Sequence, residues 1–421
     1  MKSTLILGLV AYCTVCMAQA DRTMTLEECL AASRANNLTL KNARLAVQQA
    51  KDMQGTSFTL EPTEFTLGQD LTGGGNPDNS LAVGQTFELP MVYSARRKAL
   101  KKQTEVERNR EMLTQSTVDK EVTAAYYNIM YTRERFNILM KQDTLIHRFH
   151  KMAEQKEEDK GVGSLDHINA NRMLADSHLK TQAAHNNYRM AQLRMAQLIN
   201  QNVMVVPVAE KWDVVGNVVA SPTPGSTRVA SPTPVFAPAE TTAMMLAGSE
   251  LAASESELKN VRNEGLPTVS LEGKYQVLIK GLNPYDVDRP RFEDGNFLAF
   301  AVGVNIPLCF GAQAAKVRAA KRGIEIERNN MELLKKELQT AYCDKYNQWT
   351  NAKLTVDYFK ECGLKQAADM ERMSIESYGN GEINYVELME NLQTATEMRL
   401  QYTDAVGEYN LLAIELEYMG K

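Results

Sequence analysis

The chain has 421 residues, 44 % of them hydrophobic and 24 % charged, with only 7 % aromatic and a formal charge of -5. This excludes wholesale disorder, and the missing basic excess argues against an electrostatic nucleic-acid partner. Few aromatics with modest Gly and Pro favour long helices over a compact β-rich enzyme.

The first twenty residues read as a cleavable signal peptide. Lys2 supplies the charge, Leu5 to Val10 the apolar run and Ala18-Gln19-Ala20 the small-x-small site, so the mature chain starts at Asp21. Cys13 and Cys16 follow bulky residues, which argues against lipid attachment. Cys29, Cys309, Cys343 and Cys362 remain, with no CxxC or metal-ligand spacing, and read as isolated buried thiols. No later stretch has the ~18 uninterrupted apolar residues of a membrane helix. The exported chain is either soluble or crosses a membrane as β-strands.

In chain order, an N-terminal helix precedes a first strand hairpin over 57–90. Phe58, Leu60, Phe65 and Leu67 mark one strand, with a parity break at Pro62. Leu81, Val83, Phe87 and Leu89 mark the other, across a turn at Thr72–Pro77. A proline-free, glycine-free helix over 91–160 follows; its ~65 residues correspond to a rod of about 100 Å. It ends at Gly161-Val162-Gly163-Ser164, and a return helix covers 164–204. Residues 205–239, with Val219–Pro224 copied at Val229–Pro234, read as a Pro-rich extended linker.

The second half, 240–421, repeats the pattern: helix, strand hairpin 267–309, long helix 311–378, glycine turn Gly379-Asn380-Gly381 and return helix 383–419. Pro90 corresponds to Pro307, and Gly161 to Gly381. Val269, Leu271, Tyr275, Val277 and Ile279 alternate with polar residues. Leu298, Phe300, Val302, Val304, Ile306 and Leu308 alternate with small ones. In the last helix Leu388, Ala395, Tyr402, Tyr409 and Leu416 recur every seven residues. Asn391, Met398, Ala405, Leu412 and Met419 follow each by three, a seam built for other helices. The preceding helix has a seam at Ala320, Ile324, Met331, Leu334, Leu338 and Ala341.

Two hairpins give four strands. In hydrocarbon an open sheet leaves both edges unpaired, and the smallest common barrels need about eight strands. Four per chain cannot close alone, whereas three copies supply twelve. The expected fold is an α/β membrane protein: an oligomeric β-barrel, four strands per chain and 12-stranded in a trimer, continued below the membrane by long helices, with two internal repeats.

Three stretches carry a family resemblance. They are Gly84-Gln85-Thr86-Phe87-Glu88-Leu89-Pro90-Met91-Val92-Tyr93, Val304-Asn305-Ile306-Pro307-Leu308-Cys309-Phe310-Gly311, and Tyr378-Gly379-Asn380-Gly381-Glu382-Ile383-Asn384-Tyr385-Val386-Glu387-Leu388. With the run on to Gly420, they resemble the TolC family of trimeric outer-membrane efflux channels, nearest to its heavy-metal (CzcC/CusC-like) branch. The first turn departs by lacking the family's tyrosine.

The resemblance implies that the barrel is a trimeric 12-stranded outer-membrane β-barrel continued by a periplasmic α-helical barrel, a passive duct with no chemistry or cofactor of its own. It would be a homotrimer in outer-membrane lipid that meets a periplasmic adaptor and an inner-membrane RND pump. Gly161, Val162, Gly163, Ser164, Gly379, Gly381 and Glu382 would form the docking turns. Pro90, Pro307 and Gly311 would mark strand-to-helix junctions. Tyr378, Glu387 and Glu390 would line the periplasmic constriction, where carboxylates from three chains repel one another and attract cations. The leaning is to heavy-metal cations; drugs or other organic compounds, or type I secretion, are the alternatives within the fold. A periplasmic coiled-coil adaptor or scaffold is the alternative of another class, disfavoured by the two tandem strand-pair and long-helix units.

Other features read as structural. His147, His150 and Glu154 lie one turn apart but lack HExxH, and His167, His178 and His185 are scattered. The 21 methionines sit among Leu and Ala, where Met fills gaps. Gly73-Gly74-Gly75 lacks the GK[ST] of a phosphate loop.

Overall fold

The computed structural model describes residues 20–70, 78–158, 165–208, 212–214, 236–277, 296–308 and 310–421. Residues 1–19 of the expected signal peptide, the expected turns at 72–77 and 161–164, Cys309 and the duplicated linker motif lie outside them, while Ala20, the last residue of that expected segment, opens the first strand.

The order is β1 (Ala20–Met24), α1 (Leu26–Asn36), α2 (Leu38–Met53), β2 (Glu64–Asp70), β3 (Asp78–Phe87), α3 (Pro90–Glu158), α4 (Leu165–Ile199), β4 (Val203–Pro207), α5 (Thr242–Asn263), β5 (Thr268–Val277), β6 (Asn296–Asn305), α6 (Phe310–Tyr358), α7 (Leu364–Asn380) and α8 (Tyr385–Met419). Two compact units share these elements. One takes in the chain up to Asn42, Met112–Thr242 and Lys335–Lys421; the other is Ala43–Glu111 with Ala243–Leu334.

The second unit holds a four-stranded antiparallel sheet in the order β2-β3-β5-β6. The two expected hairpins thus join edge to edge through β3 and β5. Register explains the sidedness. Leu67, Leu81, Tyr275 and Leu298 form one cross-strand row, and Phe65, Val83, Gly273 and Phe300 the next. Opposite, Thr66, Ala82, Lys274 and Ala299 share a row, as do Thr86, Ser270 and Gly303. One face is apolar and bare: Leu67 is 85 % exposed and Phe300 73 %. The other is polar or small.

Phe58 and Leu60 do not belong to a strand. Residues 54–57 form a 3-10 turn and β2 starts only at Glu64. Pro62 has no N–H to donate. The Gln85 side chain substitutes for the ladder, with Nε2 donating to the Glu61 carbonyl at 2.7 Å and Oε1 accepting from Thr63 Oγ1 at 2.7 Å.

The first unit is built on helix packing. α1 is fastened by a capping box at Thr25 and Glu28. Ser33 Oγ and Asn37 Nδ2 both donate to the Leu198 carbonyl, at 3.2 and 2.9 Å. Arg34 forks onto Asp119, Nε to Oδ1 at 3.0 Å and the second amine to Oδ2 at 2.8 Å. Beneath lies a core containing Cys29, Leu40, Val122, Ile129, Met195 and Ile199. The Cys29 thiol is pushed up to about 11 by burial and then by Glu28, which leaves it inert. Cys343 is half-buried and Cys362 exposed, so burial holds for Cys29 alone of these three free thiols.

The linker is not wholly free. Its start forms β4, which pairs in parallel with β1. Trp212 packs on the clusters around Ile129 and Tyr409. The Asp213 carbonyl accepts from buried Asn410 Nδ2 at 3.1 Å, and its carboxylate accepts from Lys360 Nζ at 2.6 Å. That bond holds the Asp213 carboxyl below the usual range.

The second long helix carries a π-helical turn, Phe359–Gly363, between α6 and α7. A Cβ on Gly363 would lie 2.5 Å from Cδ1 of the buried Phe359 ring, so this glycine is required by packing. Gly323, inside α6, faces open space. Gly323→Ala is therefore expected to stabilise by roughly 0.5–1 kcal/mol. Gly363→Ala is expected to destabilise by about 1–3 kcal/mol. Thermal melts followed by helical circular dichroism check the opposite signs.

Candidate functional site

The turn between α7 and α8 is the candidate site. Asn380 ends α7, and Gly381 takes φ 78°, a left-handed C-cap that suits glycine. Its N–H reaches the Ser377 and Tyr378 carbonyls. Glu382 N–H donates to the Ser377 carbonyl at 2.9 Å, and Ser377 Oγ donates to Glu382 Oε2 at 2.8 Å. Asn384 then caps α8: its Oδ1 accepts from Glu387 N–H at 2.9 Å while Glu387 Oε2 accepts from Asn384 N–H at 3.1 Å.

Below the turn, α3, α4 and α8 meet in a core of Ile146, Phe149, Ala170, Tyr385, Leu388, Met389 and Leu392. Tyr378 is half-buried on this cluster, edge-on to Phe149 at 5.9 Å and to Tyr385 at 6.4 Å. Burial raises the Tyr378 phenol. It pushes Tyr385 up to about 12, with a smaller push from Tyr378. The Tyr385 hydroxyl has no hydrogen-bond partner among the described residues.

The turn therefore brings Tyr378, Gly379, Gly381, Glu382 and Glu387 together. Glu387 and Glu390 are exposed on α8 while Leu388 and Met389 are buried. Glu387 has a structural task in its cap as well as an exposed charge. At the junctions, Pro90 is the first residue of α3. Behind it Tyr93 Oη accepts from Glu88 N–H at 3.0 Å and Arg96 pairs with the Glu88 carboxylate at 2.8 Å. Pro307 lies between β6 and α6. Gly311 is the second residue of α6 with open space around it, and nothing in the packing demands a glycine there.

Sequence reasoning missed the cross-helix polar contacts. Asp404 of α8 accepts from Tyr131 Oη at 2.9 Å and pairs with Arg135, both on α3. Arg399 of α8 pairs with Glu371 of α7, and Lys345 of α6 with Glu415 of α8 at 2.7 Å. Partners more than 250 residues apart, such as Arg135 and Asp404, leave no local pattern. Buried His150 bonds Asn171 Oδ1 at 2.7 Å, with Glu154 at 3.8 Å. Among the described residues no three His, Cys, Asp or Glu gather as a metal site.

No protein-family model and no curated protein matches the chain. Among solved structures it is similar to CusC, in crystal structures that describe transmembrane channel formation, at 14 % identity over 94 % of this chain and 92 % of that one, TM-score 0.70. It is similar to the CmeC outer membrane channel of Campylobacter jejuni at 15 % identity over 94 % and 85 %, TM-score 0.67. The outer membrane protein VceC of Vibrio cholerae matches at 12 % identity over 94 % and 96 %, TM-score 0.69. The chain has the fold of the TolC-family outer-membrane channels, in agreement with the resemblance in its junction and turn residues.

Two substitutions probe the turn. Asn384→Ala should lower stability by about 1 kcal/mol, and Asn384→Asp should restore it. Tyr385→Phe should be nearly neutral at pH 7. The raised phenol keeps its proton in the folded chain between its unfolded value near 10 and about 12. Its contribution is thus intact below pH 10 and lost as pH rises to 12, so the phenylalanine variant should show the shallower fall in melting temperature between pH 9 and pH 12.

Proposed function

We propose that the protein is the outer-membrane channel of a tripartite efflux pump, a passive duct for substrates delivered by an inner-membrane RND transporter through a periplasmic adaptor. The observation that carries this is the sheet. Its apolar face is exposed along four strands, and the outer edges of β2 and β6 have no partner strand among the described residues. In lipid such edges cost several kcal/mol per unmade backbone bond. Three copies joined edge to edge close the barrel, with small and polar residues facing a water-filled lumen. The half-buried seam of α6 at Met331, Leu334 and Leu338 provides a surface for helices of neighbouring copies.

On this reading residues 1–20 are the signal peptide, 21–204 and 240–421 the repeats and 205–239 the linker between them. The protein sits in the outer membrane with a periplasmic extension. Gly161–Ser164 and Gly379, Gly381 and Glu382 meet the pump and adaptor, while Pro90, Pro307 and Gly311 mark the change from barrel to helix. Tyr378, Glu387 and Glu390 form the constriction. Heavy-metal cations are the favoured cargo, supported by the junction residues and by CusC among the similar structures. No catalysis is required, since the pump supplies the energy.

Cell fractionation tests this. The protein should remain with the outer membrane after a carbonate wash and run as a trimer in mild detergent. A lone water-soluble monomer would overturn the reading. For the constriction, Glu387→Gln with Glu390→Gln should lower cation selectivity and divalent block in single-channel recordings, and unchanged selectivity removes that role.

A further inference from the structure

We infer that the sheet-proximal ends of α3 and α6 form a cationic collar that binds anionic phospholipid headgroups where the barrel leaves the membrane. The inference rests on the channel reading.

The register fixes the place. Phe87, Val269 and Val304 are aligned across β3, β5 and β6. Hence β3 and β6 leave the sheet at the same end, and α3 and α6 start there together. That end is marked by interfacial residues: Phe58 against Tyr93 at 4.8 Å, with Leu308 and Phe310 exposed. Cations follow within three turns. Residues 96–102 read Arg-Arg-Lys-Ala-Leu-Lys-Lys and residues 316–322 Lys-Val-Arg-Ala-Ala-Lys-Arg, with no acid in either run although the chain is acidic overall. Neither helix has an acidic residue in its first turn, the charge that a helix N-terminus favours.

Arg97, Lys98 and Lys101 share one face of α3, and Arg318, Lys321 and Arg322 one face of α6. All six are exposed, and none makes an ion pair among the described residues. Their neighbours differ: Arg96 is engaged by Glu88 and Lys102 by Glu105. Farther along, Arg110 pairs with Glu250 at 3.0 Å and Arg328 with Glu255 at 3.2 Å. Cations without an ion pair also occur farther along, at Arg108 on α3 and at Lys335 and Lys336 on α6, but only the sheet-proximal runs group them with no acid among them in both repeats.

Reach favours lipid over a deeper partner. At 1.5 Å per residue the six cations lie about 10–18 Å along their helices, with Arg97, Lys98 and Arg318 nearest at about 10–12 Å, and the headgroup layer extends about 5–8 Å past the hydrocarbon. Helical Cα–Cβ bonds tilt toward the N-terminus, so these long side chains lean back toward the bilayer and snorkel into it. The collar recurs in both repeats, so a closed trimer would carry it around the whole barrel.

The test uses the full-length protein in detergent, its melting temperature read with short-chain phosphatidylglycerol, short-chain phosphatidylcholine or glycerol 3-phosphate. Phosphatidylglycerol should raise it by about 3–5 °C and the other two should not; high salt should erase the gain. A variant carrying R97Q, K98Q, K101Q, R318Q, K321Q and R322Q should lose the gain and keep the parental melting temperature in phosphatidylcholine. Equal shifts with both lipids, a gain retained by the variant, or a gain from glycerol 3-phosphate alone would each overturn the collar. So would variant-sensitive retention on peptidoglycan sacculi with no lipid gain, which would assign the cations to the cell wall. Carbonate-resistant insertion into phosphatidylcholine vesicles is measured in parallel. Insertion without a phosphatidylglycerol effect rejects the collar alone, and failure to insert rejects the channel reading and the collar with it.

Discussion

Backbone hydrogen bonding at the two outer edges of one small sheet governs this protein. Among the described residues β2 and β6 have no outer partner strand, so each turns a row of N–H and C=O groups outward beside an apolar face that water does not favour. Water would satisfy the edges but not the face, and lipid the face but not the edges. An arrangement that satisfies both repeats the sheet around an axis, edge to edge, until it closes. The small and polar inner rows, from Ala82 and Ala299 to Ser270 and Thr86, are what a lumen-facing surface requires.

On the channel reading, closure sets the demands on the helices. Each strand pair feeds one long helix, and each long helix returns through a second. The helices bury apolar faces against one another; α8 buries not only its heptad positions Leu388, Ala395, Tyr409 and Leu416 but also Met389, Leu392, Val406, Ala413 and Ile414. Polar contacts then choose the neighbours. Asp404 receives Tyr131 and Arg135, Asp213 receives Lys360 and Asn410, and Asp119 receives Arg34. Each joins segments distant in sequence, so register among helices is held by directional bonds while the apolar seam provides the less specific attraction.

The turn between α7 and α8 packs several structural tasks into one short stretch. Gly381 reverses the chain and Asn384 with Glu387 restarts the helix. The same few residues present Glu382, Glu387 and Glu390 to solvent above an aromatic floor of Phe149, Tyr378 and Tyr385. Glu387 is legible as a candidate from its position after the glycine. Its capping bond is equally legible in retrospect, as Asn-x-x-Glu before an apolar run.

Periodicity made β3, β5 and β6, the long helices, the glycine turn at 379–381 and the duplicated plan readable in the chain itself, while Phe58 and Leu60, read as strand, fall before β2. Alternation and heptads arise from local geometry, and local geometry is written in neighbouring residues. The sidedness of β5 and β6 and the seam of α8 needed nothing else. Three things needed the tertiary structure: the joining of β3 to β5, the parallel pairing of β1 with β4, and the docking of Trp212 and Asp213. Such contacts depend on which distant surfaces meet. The chain writes no local period for that choice, because long-range pairing is decided by the summed burial and hydrogen bonding of the whole fold.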